Sequence, residues 1–170
     1  MIGRPDPSEH VPYYARYVAY VPGEDILAAF DSETEATRAL LAGVSEERSL
    51  HRYDTGKWSI RETVIHVVDC ERVWLYRALR FARGDEKPLV GFESEEWVAQ
   101  SNADARPWES IRREYEDVRR ATIDFYRGIA PEAWRRSGTA DGNRFSVRAL
   151  AFMTLGHDIH HRNLVRDRYL

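Results

Sequence analysis

Apolar positions recur every three or four residues over four long stretches of this chain, the spacing of amphipathic helices. The first runs from about Glu24 to Ala42, where Ile26, Leu27, Phe30, Thr37, Leu40 and Leu41 share a face and Gly43 supplies the stop. The second begins at Ser59, which with Glu62 has the pattern of a capping box, and continues to about Ala82. Its buried surface is broad. Ile60, Val64, Val67, Val68, Trp74, Leu75 and Ala78 form one stripe, and Thr63, His66, Cys70 and Val73 form a second beside it. Such a helix belongs inside a bundle, with Arg61, Asp69, Arg72 and Arg80 marking its polar surface. The third starts near Pro107 and carries Ile111, Tyr115, Val118, Thr122, Phe125 and Ile129 in a near-heptad. The fourth spans Asn143 to Asp167.

The segments between these helices are less regular. Residues 1–22, punctuated by Pro5, Pro7, Pro12 and Pro22, read as an irregular leader whose Tyr13, Tyr14, Tyr17 and Tyr20 lay rings against the domain. The stretch from Arg83 to Ala105 has the length of a crossover or a site wall, with a short helix around Ser94 to Gln100. Pro131 to Arg135 adds a helical turn, and Ser137 to Asn143 reads as a plain loop. No strand-like alternation and no repeat interrupts the pattern. The expected fold is all-α: a four-helix bundle with a long crossover between helices two and three, in a single domain over residues 1–170.

Composition removes several classes of function. A hydrophobic content of 43% is globular, and 25 basic against 28 acidic residues leave no electrostatic footprint for nucleic acid or an anionic membrane. The pairs Arg112-Arg113, Arg119-Arg120 and Arg135-Arg136 read as solvated helix faces. The single cysteine, Cys70, excludes an internal disulfide and a cysteine-built zinc site. It is expected to be buried and inert. No apolar run approaches a membrane span and the start has no apolar signal core, so a soluble, cytoplasmic protein is expected.

Candidate chemistry lies in the histidines. The last helix holds His157, His160 and His161. His157 and His161 are four apart and sit one turn above one another on a helix, a spacing that grips one metal ion. The third ligand is expected at His66, in the inner half of helix two, because an imidazole in an apolar interior must hydrogen-bond or bind something. Three neutral imidazoles leave one coordination position open, as in a catalytic zinc site, and nickel or iron suits the same donors. On spacing alone His160, three after His157, remains an alternative to His161. His10 and His51 fall in irregular segments and are expected to face solvent.

Two segments carry a resemblance: WSIRETVIHVVDCERVWLYRALRFARGD, Trp58 to Asp85, and GHDIHHRNLVRDRY, Gly156 to Tyr169. With YVPGEDILAAF, KPLVGFESEEWV and PEAWRRSG in the same order, the chain resembles the DinB/YfiT-like superfamily over nearly its whole length. That bundle also takes in the bacillithiol and mycothiol S-transferases. The resemblance implies a divalent metal, zinc or nickel foremost, on one histidine of helix two and two of helix four spaced by four. Here these positions match His66, His157 and His161, with His160 left out. It also implies frequent homodimers, and it raises Asp69 as a carboxylate that orients His66 by accepting its second ring proton. Asp158 and Glu71 are expected in surface ion pairs, and Arg162 on a helix carboxylate.

The functional expectation is a metal-dependent enzyme acting on a small molecule. Transfer of a low-molecular-weight thiol co-substrate to an electrophile ranks first, followed by metal-dependent hydrolysis. A non-enzymatic metal-binding or dimerisation bundle ranks third, and no catalytic residue beyond the ligands is assigned.

Overall fold

A computed structural model describes residues 2–170. Its core is four long helices: α2 (Ile26–Ala42), α3 (Ile60–Ala82), α5 (Trp108–Gly128) and α6 (Val147–Leu164). Two shorter helices, α1 (Ala15–Tyr20) and α4 (Ser94–Gln100), lie at the edge, and β1 (Ser137–Ala140) with β2 (Asn143–Ser146) makes a hairpin. Each start has a local cause. Asp25 caps α2 by accepting from the amides of Leu27 and Ala28. Ser59 and Glu62 close a reciprocal capping box on α3, and Ser146 accepts from the Ala149 amide at α6.

Two apolar clusters fill the bundle and fix the helix directions. Leu41 and Val44 after α2 share one cluster with Ile60 and Val64 of α3, Trp108 and Ile111 of α5, and Val165 and Tyr169 beyond α6. Ile26 and Phe30 share the other with Trp74 and Ala78, Ile123 and Tyr126, and Leu150 and Phe152. Helices α2 and α6 therefore run one way and α3 and α5 the other. The connection after α3 folds onto the hairpin, where the Leu89 amide donates to the Thr139 carbonyl at 2.9 Å.

Several sequence expectations require correction. The leader is not wholly irregular: short helical turns at Pro7–Glu9 and Pro12–Tyr14 lead into α1, and only Met1 lies outside the described residues. Gly156 makes the seat for α1, since a Cβ there would lie 1.9 Å from the Tyr17 carbonyl oxygen. The loop at Ser137 to Asn143 is instead the first part of the hairpin, so α6 starts at Val147 rather than Asn143. Asp141 and Gly142 both take positive φ, 52° and 68°, the type I′ geometry that an Asp-Gly pair favours.

Charges were also misplaced. Arg119, expected on a solvated face, is buried with Glu71 and Asp158, which were expected at the surface. Arg119 meets Glu71 at 2.7 Å and Asp158 at 3.5 Å, and Thr37 donates to Asp158 at 2.9 Å. Arg61 is buried too, donating to Ser49 at 2.7 Å and to the Glu46 carbonyl at 3.0 Å. His10 is buried, with Nδ1 2.9 Å from the Val11 carbonyl oxygen, and His51 is half-buried against Tyr169. Arg162 does meet a helix carboxylate, Glu33, at 2.6 Å.

Candidate metal centre

Because α3 and α6 run antiparallel, His66 is carried to the level of His157 and His161. The Nε2 atoms of His66 and His157 are 3.2 Å apart, and those of His161 and His157 are 3.0 Å apart. One donor nitrogen from each ring lies within 4.8 Å of the others, and all three residues are buried. Hydrogen bonding satisfies this arrangement poorly. His157 Nε2 has either one proton or one lone pair to offer two neighbours, and buried His161 Nδ1 has no partner among the described residues.

A cation satisfies it well. Zinc–nitrogen bonds of about 2.0–2.1 Å put tetrahedral neighbours about 3.3 Å apart, close to the two separations from His157. Burial first, and then the neighbouring His160, pushes the His66 imidazole down to about 4. His157 and His161 are pushed well below the ordinary histidine value, first by burial and then by neighbouring imidazoles. All three are neutral at pH 7, the form in which imidazole gives a lone pair to a metal. The donor set fits a divalent ion with nitrogen preference.

The rings form the floor of a cavity of about 280 Å³. Trp58 packs on His66 with centroids 4.8 Å apart, and Tyr17 and Trp74 each approach His157 at 5.1 Å. Arg16 stands in the wall, its guanidinium 4.2 Å from the Tyr13 ring centre and 4.7 Å from that of Tyr17. Glu95 is the lining carboxylate; it is exposed and makes no hydrogen bond among the described residues.

The remaining candidates separate clearly. His160 is half-buried, lines the cavity and packs on Tyr17 and Tyr20 rather than joining the cluster. Cys70 lies with its sulfur 3.8 Å from His66 Nε2, its thiol pushed by burial up to about 12. Asp69 pairs with Arg72 at 3.3 Å and makes no hydrogen bond to His66. What sequence reasoning missed is the aromatic wall. Trp74, eight residues after His66, was read only as core, and Tyr17 only as leader packing. The two-turn spacing from His66 to Trp74 is the signal that places both on one face.

Fold and site together define a helical bundle with a three-histidine cluster open to a cavity. A profile of the DinB superfamily matches residues 29–165, and the chain belongs to that family. A protein of Geobacillus thermodenitrificans named "Putative metal-dependent hydrolase" is 29% identical over 121 residues, 65% of this chain and 67% of its own length. A like-named protein of Oceanobacillus iheyensis is 25% identical over 143 residues, covering 81% and 82%. Among solved structures, YfiT from Bacillus subtilis, described as "a probable metal-dependent hydrolase with an unusual four-helix bundle topology", superposes with a TM-score of 0.70. The match covers 95% of this chain and 91% of YfiT at 12% identity. A mycothiol-dependent maleylpyruvate isomerase gives a TM-score of 0.66 at 18% identity, covering 80% of this chain and 57% of that one. At these identities the structural likenesses speak for the fold alone. Among the described residues no helix is long and apolar enough to cross a membrane.

Proposed function

We propose that this protein is a divalent-metal-dependent enzyme acting on a small molecule, with the metal held by His66, His157 and His161. We further propose that it transfers a low-molecular-weight thiol to an electrophile. The observation that carries the first part is the convergence of three neutral, buried Nε2 atoms at the floor of an open cavity. Bound there, a divalent ion supplies a Lewis acid that lowers the pKa of a thiol or water brought to it. Zinc and nickel suit the donors best.

The chain's own groups favour the thiol reading. Arg16 adds positive potential at the wall, and the hydroxyls of Tyr13 and Tyr17 are donors for a polar co-substrate. Trp58 and Trp74 exclude water from the rings. Glu95, the carboxylate of the cavity wall, is exposed and fixed by no hydrogen bond among the described residues, whereas a general base needs a fixed position. Hydrolysis is the second reading, supported by Glu95 in the wall and by the names of the relatives.

Elemental analysis of purified, untagged protein tests the first part. Close to one zinc or nickel per chain is expected, and its loss in His66→Ala. No metal under any loading condition would overturn the proposal. The loaded protein is then offered thiols with an electrophile, and separately esters and amides. Thiol consumption dependent on metal supports transfer, whereas acid release without thiol moves the assignment to hydrolysis.

A further inference from the structure

Beside the metal cavity lies a second chamber of about 220 Å³, and the two share Tyr13, Tyr14 and Phe92 in their walls. Arg77 lines the second chamber. It is 3% exposed, and one N–H donates to the Val90 carbonyl at 2.9 Å. The guanidinium also lies over the Phe92 ring, 5.2 Å from its centre. Its other N–H groups meet no protein acceptor, and no carboxylate comes within ion-pairing distance among the described residues. This differs from buried Arg119, whose charge is met by Glu71. Burial pulls the Arg77 pKa down, and Tyr14 and Asp141 across the chamber offset this only in part.

Asp141 lines the same chamber, exposed, making no ion pair with Arg77 but near enough for its charge to act on the guanidinium. Its presence makes the chamber two-signed rather than uniformly positive. Arg77 follows His66 by 11 residues on α3, a rise of about 16 Å along the helix.

We propose that Arg77 is the anchor for a carboxylate or phosphate at the far end of an elongated substrate or co-substrate, whose reacting end lies at the histidine cluster. The inference rests on the functional reading above for the reacting end, and on Arg77 alone for the anchor. A planar guanidinium with free donors takes either oxyanion in a two-pronged contact. The neighbouring Asp141 selects against anions that crowd the outer wall and accommodates a hydroxyl or ammonium group there.

The test uses full-length, chelator-treated protein with succinate and inorganic phosphate as probes, followed by calorimetric titration. Binding of either probe to the metal-free wild type is expected, weakened at least about tenfold in Arg77→Met, roughly the worth of one charge-assisted contact. Asp141→Asn, at an exposed position that does not threaten folding, is expected to tighten it by removing the opposing charge. His66→Ala should bind the probe as wild type does while losing its metal, which separates failure of the anchor from failure of the metal site. Succinate alone identifies a carboxylate source, and phosphate alone a phosphoester. Binding that is absent in wild type, or equal in wild type and Arg77→Met, would overturn the proposal. So would an Asp141→Asn variant that binds more weakly.

Discussion

Helices α3 and α6 each present buried polar groups to two sides, and the two sides are satisfied in opposite ways. On one, Glu71 and Asp158 meet Arg119, Thr37 and Tyr115, so nearly every polar atom finds a partner inside the protein. On the other, next to them in sequence, His66, His157 and His161 bring together nitrogens that compete for one another. The first cluster is closed and charged; the second is neutral and faces a cavity. Burial alone therefore does not mark a functional site. The mark is several unsatisfied nitrogens converging on one cavity, since single buried groups such as the Thr122 and Tyr126 hydroxyls also go without a partner among the described residues.

The contrast can be broken most forcefully on the closed side. Arg119→Met leaves Glu71 and Asp158 buried without their cation and should lower stability by about 3–5 kcal/mol, read by urea denaturation. A loss below about 1 kcal/mol would mean that the network is wet and loosely coupled. On the open side, His157→Ala should weaken metal binding by more than about 100-fold while the helical circular dichroism is kept. Wild-type affinity in that variant would remove His157 from the ligand set.

Acid should separate the two sides further. The folded-state pKa of His66 is depressed to about 4, below an unfolded value of about 6.5, so the unfolded chain binds more protons between those limits. The stability of metal-free protein should be full above about pH 6.5 and fall as the pH drops toward 4, with His157 and His161 contributing in the same direction. A flat denaturation profile between pH 7 and 5 would contradict neutral buried rings. Replacing all three histidines with glutamine should flatten the slope. The smallest expected effect is Asp69→Asn. Its partly exposed pair with Arg72 predicts less than about 1 kcal/mol, with metal affinity unchanged. A clear loss of affinity would restore Asp69 as the carboxylate that orients His66.

Much of this was legible in the sequence because its signals are local. The Ser59–Glu62 capping box set the start of α3, and four-residue spacing put His157 and His161 on one face. The closed cluster was not legible. Nothing around Arg119, Glu71 or Asp158 distinguishes them from surface charges, and their partners are far apart in sequence, such as Thr37 and Asp158. The hairpin was missed for a different reason. Its four-residue strands are too short for alternation to stand out, although the Asp141-Gly142 turn was present as a signal. Arg77 was invisible for lack of any partner to point to it.

The contact between Gly156 and Tyr17 has a wider meaning. The family profile spans residues 29–165, so it contains all three histidines but not the short helix α1 that roofs them. Part of the cavity wall, Tyr13, Tyr14, Arg16 and Tyr17, thus lies outside the matched stretch, while Trp58, Trp74 and Glu95 lie within it. Grafting the first two dozen residues of a relative onto this bundle should change one side of the cavity and leave the three histidines where they are. Diversification of this kind can proceed by trading lids over an unchanged hearth.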